Sequence, residues 1–108
     1  MTVQLLRRKF TVEQYHKMTE SGILTEDDRV ELIRGEIIEM SPIGTKHAAC
    51  VNRLVNLLVQ LLGKRTILAS QNPVALNNNS EPQPDVALLK PREDFYETAH
   101  PQPQDIFY

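Results

Sequence analysis

"RVELIRGEIIEMS", residues 29–41, decides the fold class. Val30, Leu32 and Ile33 lead into Arg34-Gly35, and Ile37, Ile38 and Met40 lead out, so two short arms rich in β-branched residues flank a two-residue turn. Glycine at the second turn position supplies the positive φ that tight hairpins need. A β-hairpin is expected here.

Working outward, "FTVEQYHKM" on the N-terminal side opens with a capping box, Thr11 as N-cap and Gln14 three residues on. Phe10 is placed to staple against Tyr15, and a short helix through about Met18 or Glu20 should stop near Gly22. On the C-terminal side, "TKHAACVNRLVNLLVQLLGK" repeats Ala48, Val51, Leu54, Val55, Leu58, Leu61 and Leu62 at spacings of three and four. That predicts a long amphipathic helix whose apolar stripe is core, unless truncation of the chain has uncovered part of it. Gly63 closes it, with Lys64 and Arg65 near the negative end of its dipole. Beyond it the period changes, and "TILAS", "NPVAL", "DVALLK" and "DIFY" read as strands separated by Pro and Asn turns. The expected fold class is α+β, or mixed α/β, in one domain spanning residues 1–108.

The totals exclude some function classes. The chain has 108 residues, 41% hydrophobic and 24% charged, with a net charge of −2. No global basic field advertises nucleic acid coating or an anionic membrane, although an enzyme that grips DNA locally stays open. With no tryptophan and 6% aromatics, a broad base-stacking surface is not expected. The single cysteine, Cys50, cannot form an intramolecular disulfide, which suits a reducing compartment. It reads as a small buried hydrophobe on the leucine-rich helix. "MTVQLLRRKF" is too short an apolar stretch for a signal peptide, and "LVNLLVQLL" falls short of a membrane span. A cytoplasmic protein with no membrane partner is expected. No Gly-rich phosphate loop is present.

The chemistry-bearing residues are acids. Asp85 follows Pro84 at the mouth of Val86-Ala87-Leu88-Leu89, a run that reads as a buried strand. A carboxylate there is costly unless paired, hydrogen-bonded or bound to a cation. Mg²⁺ takes oxygen ligands, typically one or two carboxylates plus water and phosphate oxygens. Glu31, in the first hairpin arm, is a second candidate ligand, and Glu36 and Glu39 are less distinctive. On residue pattern alone, Asp85 also suits a turn cap after Pro84, and Glu31 an outward residue on an alternating strand. His47, in the first turn of the long helix, reads as a surface or packing residue, as do His16 and His100, because none has a partner at ligand spacing. Gln71 suits a structural hydrogen bond, and Arg7-Arg8-Lys9 a solvated face that could touch a phosphate backbone.

"RVELIRGEIIEMSPIG", "KHAACVNRLVNLL" and "QNPVALNNNSEPQPDVALLKPREDFY" together resemble the Uma2 family, restriction-endonuclease-like proteins with a PD-(D/E)XK-type nuclease fold. The resemblance runs from about Lys9 to Tyr108. It implies a mixed sheet flanked by helices and a phosphodiesterase that hydrolyses DNA with Mg²⁺ or Mn²⁺. Asp85, in Pro84-Asp85, matches the family's first sheet acid, and Glu31, in "ELIRGEI", its upstream glutamate. In the family the segment resembling "HPQPQDIFY" leads into a strand of the kind "viEV" and then a lysine. These lie beyond Tyr108, and neither Lys64 nor Lys90 replaces that lysine. The resemblance therefore implies the N-terminal part of such a domain, C-terminally incomplete, and a homo-oligomer, such as a dimer, is expected to complete the sheet. The rival expectation is a non-catalytic interaction module. A small DNA-binding regulator lacks the basic face it would need.

Overall fold

The computed structural model describes residues 6–108. It holds helix α1 (Val12–Glu20), strands β1 (Val30–Ile33) and β2 (Glu36–Glu39), helix α2 (Thr45–Leu62), and strands β3 (Ile67–Ala69) and β4 (Ala87–Leu89). Single 3-10 turns follow α2 at Gly63–Arg65 and precede the last residues at Pro103–Asp105. The architecture is mixed α+β, as the patterning predicts. Among the described residues both ladders are antiparallel, β1 with β2 and β3 with β4.

The hairpin forms where its sequence places it, with Val30 opposite Glu39 and Ile33 opposite Glu36. Both turn residues have positive φ, 50° at Arg34 and 81° at Gly35, which matches the right-handed strand twist. A Cβ at position 35 would lie 2.7 Å from the Cβ of Lys9, so space as well as φ demands glycine. The turn is tied down from both sides. Phe10 N–H donates to the Gly35 carbonyl at 2.9 Å, Gly35 N–H to that of Asn79 at 2.7 Å, and Arg34 N–H to the Ser80 hydroxyl at 2.9 Å. Next to it Glu81 N–H donates to the Leu32 carbonyl at 2.8 Å, so residues 80–81 run antiparallel along β1 and help to bury Leu32 completely.

The capping box of α1 is present in both directions, Gln14 N–H to Thr11 Oγ1 and Thr11 N–H to Gln14 Oε1. Tyr15 is the buried residue of α1, and its hydroxyl donates to the Val30 carbonyl at 3.2 Å. That bond fixes the helix against the hairpin.

Strand β3 pairs with β4 around Ala69, Ala87 and Leu89, and Ile67, Tyr96 and Ile106 pack against that core. "DIFY" lies along β4: Ile106 bridges Leu89, and Phe107 N–H donates to the Leu88 carbonyl at 2.7 Å. "NPVAL" is a correction, because no strand forms there. Val74 N–H donates to the Pro82 carbonyl and Ala75 N–H to that of Pro101. A proline has no N–H to return, so neither contact can extend into a ladder.

The stripe on α2 is the second correction. Arg65 caps the helix as expected, donating to the carbonyls of Leu61 and Leu62. Yet α2 buries none of its residues. Ala48, Val51, Val55, Leu58 and Leu62 form a half-buried line, flanked by Leu54, Leu57, Val59 and Leu61 at 43–60% exposure. Periodicity fixes which side of a helix is apolar, but what covers that side is a tertiary matter. Cys50 shares this outcome and is exposed rather than buried.

Candidate functional site

Glu31 and Asp85 line one cleft of about 450 Å³, together with Arg29, Glu39, Ser41 and His47. Three elements build it. Alternation along β1 turns Leu32 into the core and Glu31 to the opposite face, half-buried. The bend after Pro84 brings Asp85 to the rim, with its side chain 54% exposed. The loop after β2 leads through Gly44 into the first turn of α2, which carries His47.

The polar contacts are specific. Glu31 Oε2 accepts the backbone N–H of Gln83 at 2.9 Å, which links the hairpin to the segment carrying Asp85. Asp85 Oδ2 lies 3.3 Å from His47 Nε2, an ion pair whenever the imidazole is protonated. The Asp85 carbonyl accepts the Ser70 hydroxyl at 3.0 Å, and Gln71, at φ 58°, donates its N–H to the Pro84 carbonyl at 3.0 Å. Backbone anchors thus hold the Pro84-Asp85 bend from the β3 side. Gly44, the α2 N-cap, makes no side-chain cap bond and lines the same cleft. The first amides of a helix carry partial positive charge and favour anions.

Other candidates lie elsewhere. Lys64 lines a separate cleft with Arg92 and Phe95. Lys90 sits over the Phe107 ring at 6.0 Å. Arg7 pairs with Glu36 at 3.1 Å on the exposed side of β2.

Sequence spacing missed one constellation. His16 of α1, Glu81 beside β1, and His100 before the buried Pro101 converge, with one ligand atom from each within 4.8 Å of the others. His16 Nε2 is 2.6 Å from Glu81 Oε2, and His100 Nε2 is 3.8 Å from Glu81 Oε1. The two histidines do have partners, contrary to the reading of them as isolated. Their separation of more than eighty positions hid the cluster, and only "SEP" after the asparagine turn hinted at an acid held in a fixed backbone.

The chain matches the model of the Uma2 family, described as "Putative restriction endonuclease", over residues 12–107. It belongs to the Uma2 family. The match spans Glu31, the Pro84-Asp85 bend and the histidine cluster. Neither the curated proteins nor the solved structures contain a match. The Uma2 assignment makes this a member of a restriction-endonuclease-like, nuclease-type family. Among the described residues, no helix is long and apolar enough to cross a membrane.

Proposed function

We propose that this Uma2 protein is a divalent-metal-dependent endonuclease that hydrolyses DNA phosphodiester bonds at the Glu31–Asp85 cleft. The observation that carries the reading is that two carboxylates from separate elements line one cleft, with the His47 imidazole against one of them. The donor set fits the group such a nuclease uses. Carboxylate oxygens are the hard ligands that Mg²⁺ or Mn²⁺ prefers, and the open rim at Asp85 leaves room for water and phosphate oxygens. Glu31 and Asp85 would hold the ion, which when bound supplies Lewis-acid polarisation of a phosphate oxygen and a more acidic water.

The chain's own groups account for the rest. Arg29 presents a guanidinium to the same cleft, suited to a phosphate of the DNA backbone. The uncapped first turn of α2 adds partial positive charge there. His47 orients the Asp85 carboxylate through their 3.3 Å contact. The lone cysteine suits a reducing setting, and we assign the protein to the cytoplasm on that ground.

A plasmid-nicking assay with Mg²⁺ or Mn²⁺ tests the reading. Nicking by the wild-type chain, reduced on the order of a hundredfold or more by Asp85→Asn and by Glu31→Gln, is the expected result. Equal nicking by wild type and both variants, or none by wild type, rejects it.

A second reading rests on a different observation. The uncovered leucines of α2 suit a homo-oligomer in which two copies bury those faces against each other, with or without catalysis. Sedimentation of the wild type as a dimer, and of Leu57→Glu as a monomer, is its expected signature. A wild-type monomer at high micromolar concentration counts against it.

A further inference from the structure

We infer that His16, Glu81 and His100 form a binding site for a borderline transition-metal cation of the Zn²⁺ class, separate from the oxygen-lined cleft of Glu31 and Asp85. Two imidazole nitrogens and one carboxylate oxygen, all within 4.8 Å of one another, make a two-histidine, one-carboxylate donor set. Imidazole donors select Zn²⁺, Co²⁺ or Ni²⁺ over Mg²⁺, which prefers oxygen alone.

The contacts lie within a small adjustment of a metal-bound arrangement. Ligands at about 2.0–2.1 Å around a tetrahedral ion stand about 3.3 Å apart. His100 Nε2 to Glu81 Oε1 is 3.8 Å, too long for a hydrogen bond. His16 Nε2 to Glu81 Oε2 is 2.6 Å and would have to open by less than an ångström. Both imidazoles are half-exposed, so their rings can make that adjustment.

The carboxylate is held as a built ligand would be. Glu81 is 4% exposed, its N–H is bonded to the Leu32 carbonyl, and its side chain contacts the two imidazoles. A buried acid facing two nitrogen ligands is an unusual commitment of polar groups. His16, Glu81 and His100 line a cleft on each side, one shared with Val12 and Glu97 and one with Thr19 and Gln83, so the ion has an access route and room for a water ligand. Its ligands come from α1, from the segment along β1 and from the loop before Pro101, so a bound ion would staple three parts of the chain together.

Titration of the full chain with Zn²⁺ against a chromophoric chelator, with Co²⁺ absorption as a second readout, decides the matter. Wild type should bind one equivalent, with a tetrahedral-type Co²⁺ spectrum and a raised melting temperature. His16→Gln and His100→Gln should each weaken binding by at least about tenfold, and the double variant should lose the Co²⁺ spectrum. These exposed positions are chosen because Glu81→Gln alters a buried group and could unfold the chain; circular dichroism verifies that the histidine variants fold. Asp85→Asn should retain Zn²⁺ binding whether or not the chain nicks DNA, which separates this site from the proposed nuclease centre. Stoichiometric binding unchanged in the double variant, loss of binding in Asp85→Asn alone, or no binding by wild type overturns the assignment.

Discussion

Tyr15 lies within the electrostatic reach of both Glu81 and Glu31. Its phenol is buried, its hydroxyl donates to the Val30 carbonyl, and its pKa is raised above the ordinary value of 10.0. Burial is the main cause, and the negative fields of Glu81 and Glu31 add to it. Below pH 10 the phenol is protonated in folded and unfolded chains alike, so its stabilising contribution is fully present. Above pH 10 the unfolded chain releases the proton first, and stability falls as pH rises through the folded pKa. Phenolate absorbance at 295 nm should show two tyrosines, Tyr15 and Tyr96, titrating late, and Tyr15→Phe should remove one of them and lessen the alkaline loss of stability while removing the Val30 bond. Gly35 is the other decisive residue. Gly35→Ala forces a Cβ into positive φ and against Lys9, and a loss of about 1–3 kcal/mol is expected in urea unfolding.

At the scale of elements, what could be read from sequence divides by range. The hairpin and α1 were legible because Arg34-Gly35 and the Thr11–Gln14 box act through neighbours two or three residues away. Thr11→Ala should cost about 1 kcal/mol, measured by thermal melting, because the α1 N-terminus loses its side-chain acceptor. Helix α2 was legible as a helix but not in its surroundings, since a stripe such as Ala48–Val51–Val55–Leu58–Leu62 does not encode a partner. "NPVAL" failed because its acceptors, Pro82 and Pro101, are chosen by tertiary contacts. Glu31 and Asp85 were picked out as individual residues, although their shared cleft depends on the bond from Gln83 to Glu31. The histidine cluster was invisible because its members come from three distant stretches of chain.

For the molecule as a whole, surface is the governing quantity. The accessible area is 8442 Å² for a mass of 12.4 kDa, whereas a compact monomer of that mass exposes about 6,100 Å². The radius of gyration is 16.4 Å, against roughly 13 Å for a compact chain of this length. Folding thus buries roughly a fifth less surface than is usual, and α2, which buries none of its residues, shares in that deficit. The urea m-value of a monomer should be lower by a similar fraction, and it should rise with protein concentration if copies associate through α2.

The stretch from Glu81 to Asp85 joins the two clusters, and its alternation has a mechanical consequence. Glu81, Gln83 and Asp85 are separated by Pro82 and Pro84, whose rings freeze φ. An extended run of four residue steps spans roughly 13 Å, and with two of its torsions locked it behaves as a strut rather than a hinge. Glu81 is anchored at one end through Leu32, Gln83 is bonded midway to Glu31, and the Asp85 carbonyl is held by Ser70 at the other end. Three anchors along one short, proline-stiffened run therefore hold Glu81 and the Asp85 backbone at a set separation.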